Sequence, residues 1–500
     1  MGAQTSKPEV TSDKELLQRL GELQVRNDDK RHDSANEKRG LMIRREAEGL
    51  PVQVLQSWQS SFLKDPKNRL ALTALSTADP RTVLNSTTTT LADPQIFNVQ
   101  IPLEGGPITN QRSSGRCWLF ASTNVFRVAL MKRYNLSSFE LSQSYLFFWD
   151  KLEKSNWFLE QIIDTAGEDL DSRLVQHLLG DIISDGGQWD MVFNLVEKYG
   201  LVPQALFPDS WNAQNSGVLN SILKTKLREF ALTLRGLVAA SAGASAIADA
   251  KAEMMRSVLG VLTLSLGAPP DPRAEFTWTY QDKDGKAKEL RATPKAFSRD
   301  IYSSEMRVTS ATVAGMVSLV NDPRHDELTL MTVSRLGNIV GGRDVTYVNV
   351  GISALKKACV AMLRAGHPIF FGSDVGKFSN SRSGVMDLGL IDYELGFNVS
   401  LLEMSKADRL RARESAMTHA MVLTAVHVDE ASGEPVRWRV QNSWGEAAGD
   451  KGWFVMSDAW LDEFVYQAVI DPRFLTKEIK EVLKTEPIVL PLWDPMGSLA

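Results

Sequence analysis

Asn110-Gln111-Arg112-Ser113-Ser114-Gly115-Arg116-Cys117-Trp118-Leu119-Phe120-Ala121-Ser122 joins a Ser-Ser-Gly turn to an apolar run, with a cysteine at the junction. The run predicts a helix that opens at Cys117. A thiol at a helix N-terminus meets the positive end of the helix dipole, which favours the nucleophilic thiolate and lowers the thiol pKa. Gln111 stands in the same turn, and its side-chain amide is placed to donate to an oxyanion forming beside the sulfur. The segment reads as a nucleophile with half of an oxyanion hole.

A thiol nucleophile needs a base, and the base needs an orienting partner. The chain has 6 histidines. His32 lies in a polar arm, His177 in a helical pattern, His325 in a charged loop and His367 in a Gly-His-Pro turn, all settings that suit structural or solvated side chains. His419 opens a strand after Thr418, and strand ends are where active sites collect. His427 lies well down the same strand, where packing or exposure explains it. Asn442 closes the next strong strand, in Gln441-Asn442-Ser443-Trp444-Gly445. A hairpin brings the two strands side by side, so that Asn442 fixes the imidazole tautomer while Trp444 shields their hydrogen bond from water.

The remaining chain bounds what this site belongs to. Five hundred residues, 43% hydrophobic and 23% charged, make an ordinary globular composition, enough for roughly two to four domains. The net charge of −5 argues against a chain that is basic throughout. With only 2 cysteines there is no disulfide framework, and a reducing compartment is the default. Cys359 falls in an amphipathic helix pattern and reads as a small buried hydrophobe. No apolar run reaches the length of a transmembrane helix. Met1-Gly2-Ala3-Gln4-Thr5-Ser6 fits the short N-myristoylation pattern, which chance matches often; an ordinary polar terminus is preferred.

In chain order, residues 1–100 read as a polar arm, with an amphipathic candidate at 15–23, followed by packing helices over about 50–76. The Thr87 to Thr90 run leads through Phe97, Val99 and Ile101 as an extended stretch. Residues 101–214 read as a helical half, with helices at 117–134, 141–154, 174–179 and 191–199, and with Gly186-Gly187 as either a turn or a substrate-binding edge. Residues 215–335 read as an inserted structural or assembly domain, helical at 215–268 with a hairpin around Asp284-Gly285. Residues 336–484 carry strands at 343–350, 368–375, 420–428, 436–444 and 452–460, typical of an antiparallel sheet or barrel. The proline-rich tail 485–500 reads as an extended arm. Lys132-Arg133 and the RLRAR run from Arg409 to Arg413 are the basic clusters, the latter read as a solvated helix face.

NQRSSGRCWLFA, THAMVLTAV and QNSWG together resemble the signature blocks of the papain-like cysteine peptidases, in that family's order. The resemblance implies an α+β fold, a helical domain beside an antiparallel β-barrel domain. It makes Gln111 the oxyanion donor, Cys117 the nucleophile, His419 the general base and acid, and Asn442 the orienter. Gly186 and Gly187 become the backbone-binding edge of the cleft, with Trp444 beside the site. No metal or organic cofactor is required. Secreted members carry a disulfide cysteine where this chain has Ser114, and the interval from nucleophile to base is far longer than in the common pattern, with the insert filling the excess.

These departures, the long N-terminal extension and the tail LWDPMGSLA resemble the bleomycin hydrolases, a cytosolic branch of the family, over nearly the whole chain. That branch implies an aminopeptidase acting on peptides and related amides, with homocysteine thiolactone among its substrates. It also implies a homohexamer around a channel, and residence in the cytoplasm with mitochondria as a second location. The arm then docks in the cleft, with the Ala500 carboxylate pairing a substrate ammonium and blocking longer chains. The rival readings are a papain-fold acyltransferase and a nucleic-acid-binding scaffold with vestigial peptidase activity; the net charge lends the second no support.

Overall fold

The nucleophile turn does lead into a helix, Cys117–Arg133, that is buried along almost its whole length. Such a helix needs no apolar stripe, because it is the centre of its layer rather than its surface. In this computed structural model, which describes residues 49–299 and 315–499, further helices surround it: Gln143–Asp164, Arg173–Gly180 and Trp189–Tyr199. Ser142 and Ser172 cap the first two through the backbone N–H groups of Tyr145 and Val175, satisfying donors a helix start leaves free. Gly2, the 15–23 candidate, His32 and Ala500 lie outside the described residues. Those before Leu70 form a unit of their own, with the helix Val52–Phe62; from Leu70 onward the described chain is a single unit.

The insert is two long helices, Gly217–Ala239 and Ala244–Leu266. Leu219, Leu223, Leu227, Ala231 and Leu234 bury one face of the first, and Met254, Val258, Leu262 and Leu266 one face of the second. This spacing gives a single apolar stripe per helix. Both stripes join the same hydrophobic core as Cys117 and Trp118, so the insert has no core of its own. The hairpin Phe276–Gln281 with Ala287–Ala292, turned at Gly285 (φ 79°), sets Trp278 against Tyr134 and Phe139 at ring separations of 5.7 and 5.3 Å.

The sheet begins at Val317–Val320, inside the segment 215–335 rather than at 336. Its order is Ile488–Leu490, Thr329–Val333, Thr346–Asn349, Val317–Val320, Val465–Ile470, Ile369–Ser373, His419–Val428, Pro435–Gln441, Trp453–Ser457, Val385–Met386 and Ser379–Asn380, with Val99–Gln100 paired to His419–Val428. Pairing is antiparallel through the centre, where Val422 faces Gln441 and His419 faces Ser373. A second core lies between this sheet and the helix Ile352–Arg364, with Cys359 inside it.

Four expectations change. The threonine run is a short helix, Thr87–Ala92, because Ser86 caps it through Thr89 N and the Thr90 hydroxyl donates back to Ser86 O at 2.9 Å; the extended stretch starts only at Val99. The 141–154 helix runs on to Asp164. The strand expected through 460 stops at Ser457, which caps the helix Asp458–Phe464. In RLRAR, Arg411 and Arg413 are solvated, but Arg409 is buried. Its guanidinium lies 5.1 Å from the Phe464 ring, donates to Met404 O at 2.6 Å and pairs with Glu463, an arginine packed by its stem and paired through its two terminal nitrogens.

Candidate active site

Cys117 is the first helical residue, after Arg116 at φ −84° and ψ 15°, and no side chain caps this helix start. Its first backbone N–H groups are therefore free to face the sulfur. The thiol receives hydrogen bonds from the backbone of Ala420, Trp118 and Cys117 itself. Ala420 follows His419 at the start of the long central strand, so the strand delivers the imidazole beside the Cys117 sulfur.

His419 Nε2 lies 2.8 Å from Asn442 Oδ1. The Trp444 ring covers the pair, 4.8 Å from the imidazole and tilted by 31°. Asn442 Oδ1 also accepts from Ser443 N at 2.8 Å. This is the juxtaposition the two strand ends suggest, and it leaves Nδ1 as the ring nitrogen that does not face Asn442.

Gln111 is locked from both ends. Its Nε2 donates to Ser114 O at 2.7 Å, and its Oε1 accepts from Ser443 Oγ at 2.7 Å. An amide nitrogen carries two hydrogens, so one remains for an oxyanion. Backbone bonds from Gln111 N to Ser443 O (2.8 Å) and from Gly445 N to Thr109 O (3.0 Å) lay the first sequence block along the third. Gly445 has φ 77°, and a Cβ there would meet Asn110 Nδ2 at 2.4 Å.

Electrostatics overturn one expectation. Burial pushes the Cys117 thiol up to about 11, against the pull of the three backbone N–H groups. Burial likewise pushes the His419 imidazole down to about 4, against its bond to Asn442. The thiolate expected from the helix dipole is opposed because desolvation of a lone charge outweighs a few N–H donors. A proton passed from sulfur to imidazole creates both charges together, which leaves the net charge of the pocket unchanged.

On the facing edge, a Cβ at Gly187 would sit 2.6 Å from the Trp118 ring; only glycine allows this approach. Lys154 Nζ donates to Gly186 O (2.6 Å) and Ser184 O (3.0 Å) while paired with Asp150 at 2.7 Å. The C-terminal arm crosses here. Gln188 Nε2 donates to Ser498 O at 2.7 Å, and Ser498 Oγ donates to Met417 O at 2.9 Å. Behind it, Arg324 clasps Asp494 at 2.7 and 3.2 Å, and the Arg173 guanidinium lies 4.1 Å from the Trp493 ring.

The sequence from 49 to 497 matches the profile of the Peptidase C1-like family. The chain belongs to that family. It is 44% identical over 469 residues to "Cysteine proteinase 1, mitochondrial" of Saccharomyces cerevisiae, covering 92% of this chain and 95% of that one. It is 44% identical over 458 residues to the bleomycin hydrolase of Homo sapiens, covering 90% of this chain and 99% of that one. The crystal structure of pepW from Lactobacillus rhamnosis superposes with a TM-score of 0.85 at 39% identity, covering 90% of this chain and 99% of that one. The protein is thus a cysteine peptidase of α+β, papain-like fold.

In this peptidase Gln111, Cys117, His419, Asn442 and Trp444 come together, and Gly186 and Gly187 form the edge beside Trp118. Reading the sequence for chemistry passes over Ser443 and Lys154, which hold Gln111 and Gly186, and over Gln188, which holds the arm at Ser498. Ser443 could have been found as the neighbour of Asn442; Lys154 carries no such signal, because its helix mixes charged residues with aromatic ones. Among the described residues no cluster of His, Cys, Asp and Glu is arranged to hold a metal ion, and no helix is long and apolar enough to cross a membrane.

Proposed function

We propose that the protein is an aminopeptidase that cleaves the first peptide or amide bond of substrates with a free amino end. The supporting observation is the arm: Ser498 is held between Gln188, next to the Gly187 edge, and Met417, two residues before His419. A chain segment in that position leaves little room for substrate residues on the amino side of the scissile bond. In this reading a carboxylate carried by the arm pairs with the substrate ammonium.

In the mechanism the Cys117 sulfur attacks the carbonyl carbon while the imidazole takes the thiol proton, so that neither buried group carries an isolated charge. The oxyanion accepts from the Gln111 amide and the Cys117 backbone N–H. His419 gives its proton to the leaving amine, and the thioester forms as the C–N bond breaks. The same imidazole then deprotonates the water that releases the acid and restores the thiol. Asn442 keeps the ring in the orientation both transfers need.

The decisive experiment compares the intact chain with one lacking its last three residues, on peptides with free and with blocked amino ends. The intact chain should cleave only the free peptides and the shortened chain should accept the blocked ones; equal treatment of both by both proteins removes the aminopeptidase reading. A cytoplasmic and mitochondrial location and a homohexamer follow the resemblance to the bleomycin hydrolases, and fractionation and particle mass check them. Nucleic-acid binding, for which exposed Lys132 and Arg133 are candidates, would show as a salt-dependent affinity.

A further inference from the structure

The inserted helices meet the nucleophile turn at one carboxylate. Asp185 Oδ2 accepts from Gly115 N at 3.0 Å and from Ser216 Oγ at 2.5 Å, while Oδ1 accepts from Asn220 Nδ2 at 2.8 Å and pairs with Lys151 Nζ at 2.6 Å. Its own carbonyl accepts from Trp118 Nε1 at 2.6 Å. Gly115 belongs to the turn that presents Cys117, Ser216 and Asn220 to the start of the first insert helix, and Lys151 to the helix Gln143–Asp164. A Cβ at Gly115 would meet the Asp185 Cβ at 2.8 Å, so the two segments touch without an intervening side chain. Ser113 and Asn215 are bridged by backbone as well.

We propose that Asp185 is a positioning residue through which the insert holds the nucleophile turn against the Gly186-Gly187 edge. The proposal rests on Cys117 being the nucleophile. A carboxylate with one acceptor site per donor fixes four partners at once, drawn from three segments: the nucleophile turn, the insert and the helix Gln143–Asp164. Burial works against its charge, yet Lys151 beside it, with Ser216 and Gly115 donating, holds the carboxyl well below the usual carboxylate range. Lys154 and Asp150, on the same helix as Lys151, pair with each other. The anion is near enough to Cys117 to raise the thiol pKa. Asp185 thus acts on the sulfur in two ways, by fixing its turn and by its field.

Two full-length variants separate these actions from a merely structural role. Ser216→Ala with Asn220→Ala removes the insert's donors and leaves the Lys151 pair. It should lower kcat between about tenfold and a hundredfold with little change in KM, as expected for a misplaced nucleophile. It should also move the pH profile of Cys117 alkylation by iodoacetamide upward, because the carboxylate charge is less compensated. Asp185→Asn with Lys151→Met removes the ion pair as a unit, and should move that profile downward. A folded Ser216→Ala/Asn220→Ala protein with the parent's kcat and alkylation profile overturns the proposal, as do two variants that shift the profile in the same direction. If the second variant does not fold, the first decides alone. Alkylation needs no turnover, so a parent that fails to hydrolyse aminoacyl amides sinks the aminopeptidase reading while leaving this one measurable.

Discussion

The two cysteines of this chain differ in almost nothing that exposure measures. Cys117 is 2% exposed and Cys359 is 0% exposed, and both are helical. Cys359 lies in the middle of Ile352–Arg364, where every backbone N–H of the turn is used within the helix, and burial alone acts on its thiol, pushing it up. Cys117 starts its helix, and three N–H groups face its sulfur beside the strand of His419. What sets the proposed nucleophile apart from a packed thiol is thus the direction of unclaimed backbone donors, together with a base, rather than access to water.

The largest test of that contrast is substitution of each cysteine in turn. Cys117→Ala should lower hydrolysis of a fluorogenic aminoacyl amide by about 10⁴-fold or more while the protein stays folded, as removal of a nucleophile does in comparable enzymes. Cys359→Ala should keep kcat/KM within about twofold and cost on the order of 1 kcal/mol in stability, read by urea unfolding, for the atoms removed from a filled core. Comparable loss of activity from both would dissolve the distinction.

Next in size is the proposed oxyanion donor. Gln111→Ala should lower kcat by about 10²–10³-fold with KM nearly unchanged, since the bond it supplies forms in the transition state. Ser443→Ala should lower kcat less, because the Gln111 amide remains and only its 2.7 Å anchor is lost. If steady-state kinetics show the reverse order, Gln111 is an architectural residue and the oxyanion is held elsewhere.

The regions that were legible in the sequence are those where chemistry and local pattern coincide. The turn before Cys117, the strand opened by His419 and the Asn442 corner each announce a residue type at the end of an element. The insert was legible as helix but not as part of the main core, because the stripe through Leu219, Leu223 and Leu227 looks the same whether it packs on itself or on Gln143–Asp164. Asp185 and Lys151 were illegible for a related reason: an acid before Gly-Gly and a lysine in a helix are ordinary surface residues until the fold buries them together. The early end of the strand expected to reach 460 turned on Ser457 acting as a helix cap, with Trp460 buried in the turn it starts. The upward push of burial on the Cys117 thiol was missed because the dipole can be read from the position in a helix, whereas desolvation depends on what covers it.

The smallest effect bears on that last point. The folded His419 pKa is about 4, below the ordinary value near 6.5. Between those values the unfolded chain binds a proton that the folded site refuses, so the unfolded state holds more protons and stability rises with pH. The contribution is fully present above about 6.5 and is lost as pH falls through about 4, a drift of about 3 kcal/mol at most. Denaturant unfolding across this window should therefore show a shallower slope for His419→Gln than for the parent, while the carboxylates titrate equally in both. Cys117→Ala makes the comparison sharper. If the resting pair is uncharged, removing the thiol leaves the His419 slope in place. If the proton already resides on the imidazole opposite a thiolate, the parent's folded pKa would lie above 6.5, and stability would instead rise as pH falls from that pKa to about 6.5. Cys117→Ala would then reverse the sign.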